Sequence, residues 1–186
     1  MSHLRTPAES PLYASHAARF GYVPNYARVF ALAPEAYAAW QALNAAIRAG
    51  MDERRYELVT LAAARALGTR YCTLAHAAVL RKRFYDDRTL HAIVTDRHHA
   101  GLDPGDVAAM DFADRIAADP GAAREADVEA LRRHGLSEVD IFQVVLAVAA
   151  RRFFAGALSA VAAVPDAVHD SLDQVVAGPQ GGNCGR

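Results

Sequence analysis

The chain has 186 residues, 53% of them hydrophobic but only 8% aromatic, enough for one domain with a sizeable core and too few for two cores joined by a linker. Twenty basic against twenty-one acidic side chains give a net charge of −1, so no global field exists to gather nucleic acid or an anionic membrane surface. The 42 alanines favour close-packed helices over sheets, and an all-α fold is expected.

The two cysteines, Cys72 and Cys184, are too few for a disulfide framework. The opening MSHLRTPAES lacks the charged and apolar regions of a signal peptide, and the apolar stretch around Val144–Ala150 is broken by Arg151 and Arg152 short of a membrane span. A soluble, cytoplasmic protein is the expectation. Its organisation is read as an N-terminal segment (1–20), a single helical domain (21–176) and a disordered tail (177–186).

Proline, glycine and capping residues divide the domain at helix-like intervals. The loop Gly21-Tyr22-Val23-Pro24-Asn25 opens a short helix that ends before Pro34. Pro34 opens the next, with Tyr37, Trp40, Leu43 and Ile47 on one apolar face and Gly50 as its end. Asp52 caps a third helix running to Leu67, and Gly68 supplies a left-handed stop. Thr69 caps a fourth, through about Phe84. A helix over roughly Arg88–Arg97 follows.

Asp103-Pro104 then starts a helix carrying Val107, Met110, Phe112 and Ile116 that ends at Asp119-Pro120-Gly121. Asp127–His134 forms a short helix closed by Gly135. Ser137 with Asp140 reads as a capping box leading into a long apolar helix that runs to Pro165. An amphipathic helix over Asp166–Val176 is the last expected element. The long apolar faces exceed what one small bundle can bury, which points to a homo-oligomer, whether dimer, trimer or hexamer.

The chemistry lies in residues 57–76. Cys72 and His76 are four apart, so on a helix they share a face one turn from each other. Cys72 is also three residues after Thr69, in the first turn, where free N–H groups and the helix dipole favour a thiolate. Glu57 comes from the preceding helix, and a tight break at Gly68 allows its carboxylate to meet His76. A Glu–His–Cys relay follows: the carboxylate orients the imidazole, the imidazole takes the thiol proton, and the thiolate attacks. Taken singly, each residue has a plainer reading: a small core cysteine, a polar helix edge, a solvated glutamate.

The spacing resembles the carboxymuconolactone decarboxylase and alkyl hydroperoxidase D superfamily, whose motif is a Glu, a Cys-x-x-Cys twelve residues on, and a His four beyond the second cysteine. Glu57, Cys72 and His76 match it, and Tyr71 fits the Tyr-Cys pair common in these proteins. The blocks Gly21–Asn25, Asp111-Phe112-Ala113 and Asp119-Pro120-Gly121 resemble the peroxidase-related subgroup, so the likeness spans about Gly21 to Pro165. It implies an all-α fold, a homo-oligomer and, in active hydroperoxidases, a cysteine pair cycling between dithiol and disulfide.

The first cysteine of that pair is here Thr69, so the usual resolving disulfide has no counterpart. The resemblance then implies a single-cysteine peroxidase of peroxiredoxin type with catalytic Cys72, His76 and Glu57, and with Thr69 and Tyr71 as modulators. Thr69 either caps the helix or donates to the thiolate, as in the Thr-x-x-Cys of peroxiredoxins. The expected partners are a small hydroperoxide and a thiol reductant, with Cys184 as a minor candidate for the second thiol. No cofactor is called for, and His91, His98 and His99 lack an acidic ligand at metal spacing. Arg151 and Arg152 read as helix-edge side chains over apolar surface, and Tyr37 and Trp40 as core or interface. The alternatives are a carboxymuconolactone-type decarboxylase, or a non-catalytic helical oligomer.

Overall fold

The computed structural model describes residues 2–177, which form α-helices and short 3-10 turns with no strand among them. In chain order the helices are α1 (Pro11–Phe20), α2 (Asn25–Phe30), α3 (Pro34–Ala49), α4 (Glu53–Ala66), α5 (Arg70–Arg83), α6 (Asp87–Asp96), α7 (Pro104–Ala118), α8 (Glu125–Arg133), α9 (Glu138–Ala160) and α10 (Asp173–Val176). The all-α expectation holds.

Most boundaries follow the capping chemistry. The Asp52 carboxylate accepts from the Arg55 amide at 3.0 Å and Asp103 from the Gly105 amide at 2.8 Å. Ser137 and Asp140 form the expected reciprocal box. Three regions differ from expectation. The N-terminal segment contains α1, started by Ser10 and Pro11 and stopped by Gly21 at φ 80°. The long helix ends at Ala160, and the last expected helix is mostly a 3-10 turn over Ala167–Leu172. Apart from Ala177, the expected tail lies outside the described residues.

α4 is the central element. It packs on α5, α7 and α9, and every residue from Tyr56 to Ala64 is buried. A helix buried all round has no solvated face, so Glu57, at 1% exposure, requires partners inside the protein. The main core joins Leu58, Leu61, Ala62 and Ala63 of α4 to Leu74 and Leu80 of α5, Met110 and Ala113 of α7, and Val144 and Val148 of α9. Alanines on facing helices let the backbones approach closely, which is how so alanine-rich a chain fills its interior.

A second, smaller cluster gathers Val29 and Phe30 of α2, Tyr37 of α3, Cys72 and Tyr71 of α5, and Phe154 and Leu158 of α9. Trp40 packs against it. α9 has the length and hydropathy of a membrane-crossing helix, yet half of its most apolar window is buried inside the protein, which is the behaviour of a core helix.

Candidate active site

Gly68, at φ +65°, reverses the chain between α4 and α5, a conformation that glycine adopts without strain. Thr60 and His76 lie equally far in sequence from it, so the hairpin brings them level. Glu57 is one turn further along α4. The His76 Nδ1 is 2.6 Å from Glu57 Oε2 and 3.1 Å from Thr60 Oγ1. Because the Thr60 hydroxyl donates to the Tyr56 carbonyl at 2.7 Å, it accepts at His76, as does the carboxylate. The proton is therefore on Nδ1, and Nε2 presents a lone pair.

Charges support this assignment. Burial alone would raise the Glu57 carboxyl, but the bond from His76 and the Arg48 and Arg151 guanidiniums outweigh it and hold Glu57 below its ordinary value. Burial pushes His76 below the ordinary imidazole value; Arg151 adds to that push, and Glu57 opposes it without prevailing. An ionised Glu57 thus orients a neutral His76. Arg48 Nη2 stands 3.4 Å from Glu57 Oε1 and its guanidinium lies over the Tyr56 ring, 5.0 Å from the centroid.

Cys72 is in the first turn of α5 as expected, at 1% exposure. The geometry around it differs from the simple relay. Among the described residues no hydrogen bond joins its sulfur to His76; Arg151 Nη1 donates to Sγ at 3.7 Å. Arg151 is itself only 5% exposed, lies over the Phe154 ring at 5.5 Å, and has an Nε with no partner. Burial works against its charge, and the neighbouring Cys72 sulfur and Tyr56 phenol more than restore it. The expectation of a helix-edge arginine over apolar surface is thus corrected: the buried positions of α9 include Val144, Ala147, Val148, Arg151, Phe154, Ala155 and Leu158, and Arg151 is on that inward stripe. Its register was legible, as was the level placement of Thr60.

The two modulators do other work. Thr69 is the N-cap residue of α5 as expected, but its side chain makes no capping bond; its hydroxyl donates to the Ala64 carbonyl at 3.1 Å, closing the α4–α5 turn. The Tyr71 hydroxyl donates to Asp166 at 2.5 Å and accepts from the Tyr26 amide at 3.1 Å, and Asp166 also accepts from the Asn25 amide at 2.7 Å. Tyr71 is a strap binding the start of α2 to the chain after α9. Cys184 is outside the described residues.

Aromatic rings form one wall of the thiol's surroundings. Phe154 stacks on Trp40 at 4.4 Å and on Phe30 at 5.1 Å, and Tyr37 stacks on Phe30 at 5.1 Å. Tyr37 and Trp40 are therefore side chains of this cluster. Among the described residues no group of three His, Cys, Asp or Glu is placed to hold a metal. His91 bonds the Val175 carbonyl, His98 approaches Asp111 and His99 approaches Asp96.

No curated protein matches the sequence. Among solved structures, an alkylhydroperoxidase AhpD core, peroxidase-related protein of Ralstonia eutropha JMP134 is 22% identical with a TM-score of 0.81, over 96% of this chain and 98% of that one. A peroxidase-related protein of Silicibacter sp. TM1040 is 24% identical, TM-score 0.80, over 90% and 93%. A cysteine-to-alanine variant of the debrominase Bmp8, in complex with 2,3,4-tribromopyrrole, is 18% identical, TM-score 0.75, over 92% and 97%. Residues 34–115, which contain Glu57, Cys72 and His76, match the model of the carboxymuconolactone decarboxylase family, and the fold around them is the AhpD-like helical fold of these structures.

Proposed function

We propose that the protein is a thiol-dependent peroxidase that reduces small hydroperoxides at Cys72. The observation that carries this reading is the buried, ionised Glu57 holding His76 through Nδ1 at 2.6 Å, one helical turn from a cysteine on the same face. A Cys72 buried in apolar surroundings together with a Glu57 turned to solvent would have favoured a fold without turnover; Cys72 is buried in the aromatic cluster, but Glu57 faces His76. Instead the carboxylate fixes the tautomer whose Nε2 is free to move a proton.

His76 Nε2 accepts the thiol proton. The sulfur lone pair attacks the terminal peroxide oxygen, the O–O bond breaks, and the departing alkoxide takes the proton back from His76 and leaves as the alcohol. Sulfur is oxidised to the sulfenic acid while the peroxide is reduced. With Thr69 at the first motif position, resolution falls to an external thiol. One thiol forms a mixed disulfide with loss of water, and a second releases Cys72 and leaves as the disulfide of the reductant.

The partners in this reading are a small hydroperoxide, a thiol reductant and a second copy of the chain. The outward side chains Val139, Phe142 and Phe153 of α9, each more than half exposed, support the assembly, and sedimentation tests it. Consumption of an organic hydroperoxide with a small thiol, in the parent and in Cys72→Ser, tests the activity: the parent turns over and the variant does not. Turnover retained by Cys72→Ser would instead favour proton chemistry of the decarboxylase kind.

A second reading is favoured by the ring wall beside the thiol: attack of the Cys72 sulfur on a bromine of a halogenated aromatic, the class of compound bound by the similar debrominase. The carbon–bromine bond breaks as the ring carbon takes a proton, one external thiol then displaces bromide from sulfur as a mixed disulfide, and a second releases Cys72. Bromide release from 2,3,4-tribromopyrrole, without hydroperoxide consumption, supports that reading over the first.

A further inference from the structure

Arg151 is a buried cation with no carboxylate partner. It makes no ion pair with any described residue, and its neighbours are the Cys72 sulfur, the Phe154 ring and the Tyr56 phenol. An unpaired guanidinium inside a protein costs several kcal/mol, so a negative charge is needed opposite it. Glu57 is committed to His76 and Arg48. The charged and titratable groups of the site are Tyr37 of α3 and Tyr71 of α5 in the thiol's own cluster, Arg151 from α9 on the sulfur, Tyr56 and Glu57 from α4, His76 from α5, and Arg48 from α3 on Glu57. With His76 neutral, two cations then face one carboxylate, and Arg48, unlike Arg151, is partly open to solvent at 39%.

We propose that Arg151 is the counter-charge of the reacting sulfur: it stabilises Cys72 as the thiolate and, if the peroxidase reading holds, carries the negative charge that builds on the peroxide oxygens during attack. The Nη1 donor serves the sulfur at 3.7 Å, and the unpartnered Nε leaves a donor for a substrate oxygen. The guanidinium lies over the Phe154 ring, 5.5 Å from the centroid, and presents a planar fork of donors that a lysine ammonium lacks. The roles divide accordingly, with Glu57 and His76 moving the proton and Arg151 holding the negative charge.

The test uses the full chain with Cys184→Ser, so that Cys72 is the single thiol, and reads the thiolate by ultraviolet absorbance at neutral pH against a Cys72→Ser blank. Arg151→Gln is expected to lower the thiolate-to-thiol ratio about tenfold, the scale of one charge-assisted hydrogen bond. It slows reaction with iodoacetamide in parallel. Arg151→Lys recovers part of the loss, and Arg152→Gln, one position along on a guanidinium that bonds the Ala117 carbonyl, leaves the ratio unchanged. An unchanged ratio in a folded Arg151→Gln overturns the proposal.

A second pair of variants leaves Arg151 in place. Cys72→Asp puts a carboxylate opposite the guanidinium and is expected to melt above Cys72→Ala at neutral pH. The reverse order overturns the proposal, because an aspartate buried among rings without a cationic partner is strongly destabilising. Failure to oxidise with hydroperoxide while the thiolate ratio still depends on Arg151 would refute the peroxidase reading alone.

Discussion

The two apolar clusters of this protein meet at α4 and are built to different rules. The larger one is mostly aliphatic, with Leu58, Leu61, Leu74, Leu80, Met110 and Val148 among close-packed alanines. It needs volume and shape, and similar side chains exchange there at modest cost. The smaller one is aromatic with polar tips: Tyr37 bonds His16 Nε2 at 2.9 Å, the Trp40 Nε1 is without a partner, and Arg151 lies over Phe154. Helix hairpin geometry places Cys72 in the aromatic cluster and His76 against Glu57 and Thr60 of α4. The difference teaches that the first cluster sets the fold while the second sets the environment of one sulfur atom, and substitutions separate these duties.

The sharpest separation comes from the thiol itself. Cys72→Ser abolishes hydroperoxide consumption and, by removing the negative charge opposite the buried Arg151, also lowers the melting temperature although the hydroxyl occupies nearly the same volume. His76→Gln lowers kcat/KM by about 100-fold to 10,000-fold, the range for a positioned acid–base group, with Glu57→Gln following it through the lost orientation; steady-state rates with a small thiol read both. In the aliphatic cluster, Leu61→Ala costs about 2–5 kcal/mol in chemical denaturation and leaves the rate per folded molecule unchanged.

A smaller effect is expected at the strap. Tyr71→Phe leaves the buried Asp166 without its hydroxyl donor and costs about 1–3 kcal/mol, again with the rate per folded molecule retained. The smallest is an acid-side loss of stability. The folded His76 lies below its ordinary value of 6.5, so the unfolded chain binds the proton first and stability declines as pH falls below that value. Glu57, held below 4.5, adds a further decline beneath it. Denaturation across pH compares the parent with His76→Gln, which loses the first part of the slope. By the same sign, activity persists below pH 6.5, because the folded imidazole remains a base there.

Much of this was legible in the sequence. Asp52, Gly68, Asp103-Pro104 and the Ser137–Asp140 box fixed their helix ends because capping is local chemistry, and the Glu57–His76 meeting followed from the tight reversal at Gly68. The helix at Pro11–Phe20 carried the same signals, Ser10, Pro11 and Gly21, yet reads only as an N-terminal segment when the domain is begun at the next loop. The hydrogen bonds of Thr69 and Tyr71 could not be read because their hydroxyls answer acceptors set by the folded chain, the Ala64 carbonyl and Asp166. A shared helix face put Cys72 and His76 near each other, but ring direction is decided by Glu57 and Thr60. Arg151 was the available clue left unread: an arginine in register with Val144, Ala147, Val148 and Phe154 must be buried if they are.

The most direct test of the central claim is to treat the reduced protein with an organic hydroperoxide in the presence of dimedone and locate the adduct by peptide mass spectrometry. A sulfenic acid adduct on Cys72, absent in Cys72→Ser and accompanied by equimolar loss of the peroxide, is the predicted result. An unmodified Cys72 with the peroxide unconsumed would contradict it.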